Sequence, residues 1–217
     1  MPTGTVANIA IHVCADVATR GIRRCWPPPF AATDTLERAM RVCRQLGIAE
    51  QHVLAGEQAT ATALQEALRT ASTVVAEHGG LVVLSFSGHT ERGDGPIETA
   101  CWCLVDGGLE LAQIARLLAQ LPLATRVLLI CDTCYAAAIT EVLVGAQPVV
   151  VVASCSAEQT MVDRLRSEFV VRLEEFVRVE GRRGSLAMLR AALEADTPDC
   201  ERPVVWSNAG FDDQLAL

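Results

Sequence analysis

Leu81-Val82-Val83-Leu84-Ser85-Phe86-Ser87-Gly88-His89 is the stretch on which the fold turns. An apolar run rich in branched side chains leads into Ser-Gly-His. A second run, Val127-Leu128-Leu129-Ile130-Cys131, leads in the same way into Asp132-Thr133-Cys134. Each reads as a strand of a parallel sheet, because both of its faces are apolar. In such sheets the carboxyl ends of the strands share one edge, and ligands bind there. A histidine and a cysteine delivered to that edge, 134 − 89 = 45 residues apart, suggest a thiolate nucleophile and its general base.

Around these two runs the pattern alternates. Residues 6–14 read as a first strand, and Asp34 to Leu46 as a helix whose Leu36, Ala39, Met40, Cys43 and Leu46 recur at helical spacing before Gly47 stops it. Arg20 to Phe30, with three consecutive prolines, is a loop. His52 to Leu54 is a short strand, and Gln58 to His78 a helix opened by Thr60 or Thr62. A polar loop from Glu91 to Pro96 follows the His-bearing strand, and Cys101 to Val105 is a short strand or hairpin arm. Helices are expected over Leu109 to Leu121, Tyr135 to Val144, Phe169 to Val179 and Ser185 to Ala195, with strands at Val149 to Ala153 and Val204 to Trp206. This alternation implies an α/β fold, a mostly parallel central sheet between two helical layers. The length of 217 residues suits one domain spanning 1–217.

Bulk properties exclude several classes. A net charge of −8 argues against nucleic acid and against an anionic membrane surface as partner. No apolar run reaches the roughly 18 residues of a membrane span. The N-terminal residues lack a basic flank before an apolar stretch, and nine scattered cysteines read as reduced thiols, so a cytoplasmic location is expected.

The cysteines admit four readings. Cys131, inside its strand, reads as core, because free cysteine is among the most buried residue types. Cys134 follows a polar Asp-Thr pair where a strand turns into an expected helix, whose dipole would favour a thiolate. Cys131 and Cys134 also form C-x-x-C, a redox motif in thioredoxin-like proteins, but there the motif follows an early strand. A zinc site from Cys101, Cys103, Cys131, Cys134 and Cys155 lacks a second C-x-x-C or a His pair to complete it. Among the histidines, His12, His52 and His78 lie within or at the ends of elements, whereas His89 follows a buried strand through a glycine that permits a sharp turn.

Residues 84–89 (Leu-Ser-Phe-Ser-Gly-His) and 128–135 (Leu-Leu-Ile-Cys-Asp-Thr-Cys-Tyr) resemble the His and Cys motifs of caspase-like cysteine peptidases, especially metacaspases and paracaspases. Those motifs run aromatic-Ser-Gly-His-Gly and Asp-x-Cys-x-Ser-Gly. The order His then Cys and the gap of 45 agree with the roughly 50 of caspases. The resemblance extends over residues 6 to 165, including Ala153 to Thr160 after the next strand. Two departures stand out: Thr90 replaces the Gly after the histidine, and Ala136-Ala137 replace Ser-Gly after the cysteine.

The resemblance implies a caspase-like fold, a three-layer α/β/α sandwich, and a cysteine endopeptidase with catalytic His89 and Cys134. Backbone N–H groups of Thr90 and Cys134 would hold the oxyanion, and a Thr90 side chain would crowd the substrate. It implies that Asp132 lines an S1 pocket for Arg, with Lys as second choice, joined by Asp34 and Ser87, with Glu158 or Asp163 adding charge. Helix capping competes as the role of Asp132 and of Asp34. Neither metal nor organic cofactor is needed for that chemistry. Some metacaspases require calcium, and no clear acidic loop marks a calcium site. Only Tyr135 to Pro148 separates Cys134 from the next strand, leaving little room for the linker that animal caspases cut. Gly181-Arg182-Arg183-Gly184 is either a helix end or a self-cleavage site. A protein or peptide substrate and an activator supplied in trans are the expected partners, and the bacterial members imply an effector role in antiphage defence or regulated cell death. A catalytically silent caspase-like binding module is the rival that Thr90 and Ala136-Ala137 favour, and a C-x-x-C oxidoreductase is the other.

Overall fold

Strands that are apolar on both faces need cover on both sides. The computed structural model describes residues 7–15, 32–76, 79–92, 99–143, 145, 147–160, 167–195 and 202–208. Along the chain come β1 (Ala7–Cys14), α1 (Ala32–Gln45), β2 (Glu50–Ala55), α2 (Ala61–Val75), β3 (Gly80–Ser87), β4 (Thr90–Glu91), β5 (Cys101–Leu104), β6 (Gly107–Glu110) and α3 (Leu111–Leu118). They are followed by β7 (Thr125–Asp132), β8 (Val149–Ala153), α4 (Glu168–Glu180), α5 (Leu186–Glu194) and β9 (Val204–Ser207). Six strands form one sheet in the order β2-β1-β3-β7-β8-β9. All neighbours pair in parallel except β9, which runs antiparallel to β8. A separate antiparallel sheet joins β4, β5 and β6.

Side chains alternate across a strand, so each central strand feeds two cores. Val82, Leu84 and Phe86 of β3, with Val127, Leu129 and Cys131 of β7, pack beneath α2 and α3. Leu81, Val83, Leu128 and Ile130 pack on the other face beneath α1, α4 and α5. The mixed α/β architecture with helices on both faces is the one expected. Trp102 of β5 stacks on Phe86 with centroids 4.2 Å apart, which docks the small sheet on the end of β3. Across the far layer, Arg38 and Arg41 of α1 both bind Glu174 of α4 at 2.6 Å. No helix among the described residues is long and apolar enough to cross a membrane.

Several boundaries differ from expectation for local reasons. The helix expected from Leu109 begins at Leu111, because Gly107–Glu110 pair with β5. The helix expected over Gln58 to His78 runs from Ala61 to Val75, with Thr60 as N-cap accepting the Ala63 N–H at 3.1 Å. Helix α1 starts at Ala32, which puts Asp34 inside its first turn and not at the cap. The expected loop over Arg20 to Phe30 lies outside the described residues, as does most of the loop after Glu91.

The largest correction concerns the segment after Cys134. The α-helix expected over Tyr135 to Val144 is not formed by its described residues, 135–143: Ala136–Glu141 form a 3-10 helix, and Tyr135 before it is left-handed at φ 53°. The amides that would open an α-helix are taken by a neighbouring loop, since Tyr135 N–H donates to Gln159 O at 2.7 Å and Ala137 N–H to Cys155 O at 3.1 Å. An α-helix dipole therefore does not act on Cys134, and that argument for its thiolate falls.

Buried His12 carries a stability prediction. It lies opposite Ser85 in the β1–β3 register and is fully inaccessible. Gln51 donates its amide to Ile48 O, so its Oε1 accepts from His12 Nε2 at 3.1 Å. The proton is then on Nε2, and Nδ1 accepts from the Ser85 hydroxyl at 2.7 Å. Burial, opposed by the Gln51 bond and helped by the Arg44 charge, pushes the imidazole down to about 4. In the unfolded chain it titrates near 6.5. Between those values only the unfolded state binds the proton, so stability present above pH ~6.5 is lost as pH falls toward 4. The expected loss is about 3 kcal/mol. Urea unfolding of wild type and His12→Gln at several pH values checks it: the variant should lack this component, and parallel pH profiles would refute it.

Candidate active site

Strand register brings the two motif residues together. β3 and β7 pair from Gly80↔Thr125 to Ser87↔Asp132, a constant offset of 132 − 87 = 45 residues. His89 and Cys134 each lie two residues past that last pair, so their separation of 45 in sequence is the register offset itself. Adjacent strands run about 4.8 Å apart. Both residues thus lie just beyond the same end of neighbouring strands, and each is half-buried.

The two turns are tied directly. The Thr133 hydroxyl donates to Gly88 O at 2.9 Å. Its oxygen, its own proton so used, accepts from the Thr90 hydroxyl at 2.9 Å. Thr133 is 2% and Thr90 6% exposed. The Thr90 side chain is therefore turned inward onto the Cys turn, not outward into a substrate path. Gly88 is tight on its other side: a Cβ there would lie 3.0 Å from the Phe86 ring and 3.1 Å from Ala15 O.

The end of β8 supports the Cys turn from beyond. Ser154 Oγ accepts the Thr133 N–H at 3.3 Å. The Cys155 thiol lies 3.3 Å from both Thr133 O and Gln159 O, and its sulfur accepts the Ala136 N–H at 3.5 Å. Burial pushes the Cys155 thiol up to about 11. Burial, then the charge of Asp132, pushes fully buried Cys131 up to about 12. Neither forms a thiolate readily at neutral pH.

The remaining motif residues divide. Ser87 is buried at the end of β3, level with Asp132. Asp132 is 6% exposed, and its Oδ2 accepts the Thr35 hydroxyl at 2.7 Å. Asp34, one residue before Thr35, turns along its own helix to Arg38 at 2.8 Å. Glu158 is exposed, and Asp163 lies outside the described residues. Thr35, Thr133 and Ser154 were not singled out in the sequence. Each is a small hydroxyl whose partner lies on another element, and only the position of Thr133 between Asp132 and Cys134 hinted at a role.

No family model matches the chain, and no curated protein matches it in sequence. Solved structures do. Protein GSU0716 from Geobacter sulfurreducens superposes with a TM-score of 0.76 at 17% identity, over 93% of this chain and 93% of that one. Caspase-1 from Spodoptera frugiperda superposes with a TM-score of 0.65 at 11% identity, over 96% of this chain and 87% of its own. The fold is caspase-like. At these identities the likeness speaks for the fold alone. Within that caspase-like frame, a thiol and an imidazole stand at the ends of neighbouring central strands, with a sequestered carboxylate beside them.

Proposed function

We propose that the protein is a cysteine endopeptidase that cleaves after a basic residue. The observation that carries this reading is the shared register of β3 and β7, which sets His89 and Cys134 at one level of one sheet edge. In the reaction the Cys134 thiol passes its proton to His89, and the sulfur attacks the scissile carbonyl. His89 then protonates the leaving amine, and water hydrolyses the acyl-enzyme. The oxyanion is held by the N–H groups of Thr90 and Cys134. Cys103 N–H bonds His89 O, so in the alternating antiparallel ladder the next pair, Thr90 and Trp102, exchanges no hydrogen bonds. That directs the Thr90 N–H away from β5.

Asp132 is the specificity residue in this proposal, as a carboxylate that meets a substrate guanidinium through charge-assisted hydrogen bonds. Ser87 lies level with it in the strand register, and Glu158 and Asp163 add negative charge. Asp34 contributes less directly, because Arg38 occupies its carboxylate. The reaction needs no metal or organic cofactor, the partners are a protein substrate and an activator in trans, and one domain of 1–217 acts in the cytoplasm. An effector role in defence or regulated cell death fits a peptidase of this kind.

The inward turn of Thr90 removes the steric argument for a silent binding module, and the depth and raised pKa of Cys131 disfavour a C-x-x-C oxidoreductase. Fluorogenic peptides ending in Arg, Lys or Asp test the reading on the wild-type protein, together with an Arg-based chloromethyl ketone followed by peptide mapping. The expected result is hydrolysis in the order Arg, Lys, Asp and a single adduct on Cys134. A preference for Asp-ended peptides would sink the specificity. An adduct on another cysteine would sink the mechanism, and silence throughout would favour the binding module or a missing activator.

A further inference from the structure

We propose that the small sheet beside the His turn is a metal site, with Glu91, Cys101 and Cys103 binding a thiophilic divalent ion such as zinc. Glu91 of β4 is directly opposite Cys101 of β5 in the antiparallel register. Cys103 follows two residues later on the same face of the strand. One carboxylate oxygen and the two sulfurs all lie within 4.8 Å of one another. A tetrahedral zinc ion, with Zn–S about 2.3 Å and Zn–O about 2.1 Å, separates such ligand atoms by roughly 3.5–4 Å. The ion therefore needs only side-chain adjustment of the groups already facing one another.

The surroundings keep the space open. Gly108 of β6 faces this group, and a Cβ there would lie 2.8 Å from Cys101 Sγ. Glycine leaves that volume to the sulfur. Glu110 is opposite Cys101 on β6, a second acidic group beside the half-buried end of the cluster. Cys103 closes the cluster from the buried side. Two thiolates with one carboxylate select a borderline or soft ion over calcium or magnesium. Three protein ligands leave the fourth position to water, as in open zinc sites. Binding releases both thiol protons to solvent, and the complex of one divalent cation with three anionic groups carries a net charge of −1.

The cluster is distinct from the thiols of the Cys turn. Glu91 comes from across the ladder, so a search for spaced cysteines alone misses it. The site braces the segment that bears His89: Glu91 lies two residues beyond it, and Cys103 N–H holds the His89 carbonyl at 2.8 Å. The ion has a positioning role there and takes no part in the reaction.

The test uses the full chain carrying Cys134→Ala, reduced and oxygen-free, so that the dyad thiol cannot contribute. Titration with Co2+ should produce a thiolate-to-cobalt charge-transfer band that saturates at one equivalent and is displaced by Zn2+. Cys101→Ser should remove most of the band and weaken affinity by more than the roughly 10–100-fold typical of losing an outer-shell partner. Glu91→Gln should keep the band and weaken binding. Cys101 and Glu91 are the half-exposed members, and circular dichroism confirms that their variants fold. An unchanged band in Cys101→Ser overturns the proposal. So does the absence of any band in protein whose thiols titrate as reduced, or a Cys101–Cys103 disulfide as the stable form of protein purified without metal.

Discussion

Cys134→Ala should lower kcat/KM for Arg-ended peptides by on the order of 10^4-fold or more, while the fold is retained. Removing the nucleophile of a unit that works by covalent catalysis leaves only the binding and oxyanion contributions. The side chain is half-buried at a turn, so its truncation costs little packing. His89→Ala should fall short of that loss, by roughly 10^2- to 10^4-fold, the range general acid–base groups supply. Cys131→Ala is the informative contrast. Its sulfur is fully buried in the core beneath α2 and α3, so its loss costs stability on the order of 1 kcal/mol and leaves turnover within a few-fold. Equal losses in Cys131→Ala and Cys134→Ala would point to a dithiol, and activity surviving Cys134→Ala would end the peptidase reading. Steady-state kinetics with urea melts of each variant separate the two effects.

What the sequence made legible follows from how a parallel sheet is built. β3, β7 and β8 are covered on both faces, so nearly every residue is apolar and their positions stand out without periodicity. The shared edge was legible too, but the pairing of β3 with β7 and its register were not, because nothing in the two runs says which strands are neighbours. The failures lie where structure is decided by partners distant in sequence. Tyr135 to Val144 carries helix-forming alanines, yet the loop from Cys155 to Gln159 captures the first amides and leaves a 3-10 segment. The Thr90 substitution looked obstructive because its partner, Thr133, lies 43 residues away. The capping role read for Asp34 fails as well: the helix starts at Ala32, the Asp34 carboxylate turns to Arg38, and its neighbour Thr35 reaches Asp132. Identity of a side chain travels in the sequence, whereas its direction is set by the element and what packs on it.

That threonine pair yields the second large effect. Thr133→Val keeps the shape of the side chain and removes the hydroxyl that links the His and Cys turns. Gly88 O loses its donor and the Thr90 hydroxyl its acceptor, both in a buried setting. Each stranded group costs about 1–3 kcal/mol, so the expected destabilisation is about 2–4 kcal/mol. Thr90→Val alone strands less, because the Thr133 hydroxyl still donates to Gly88 O, and about 1 kcal/mol is expected. In the double variant no hydroxyl is left without a partner, and only Gly88 O lacks its donor. It should therefore be more stable than the sum of the single changes predicts, a coupling that a double-mutant cycle reads directly. If Thr133 positions the dyad, kcat should fall by roughly 10- to 100-fold with KM nearly unchanged, since a small misplacement of reacting groups costs rate before it costs binding. A loss of stability with kcat intact would make the pair a brace of the sheet edge and nothing more. A shared loss would make the register of β3 and β7 necessary but insufficient: the strands set the level at which thiol and imidazole emerge, and the threonine pair holds the two turns at the distance on which proton transfer depends.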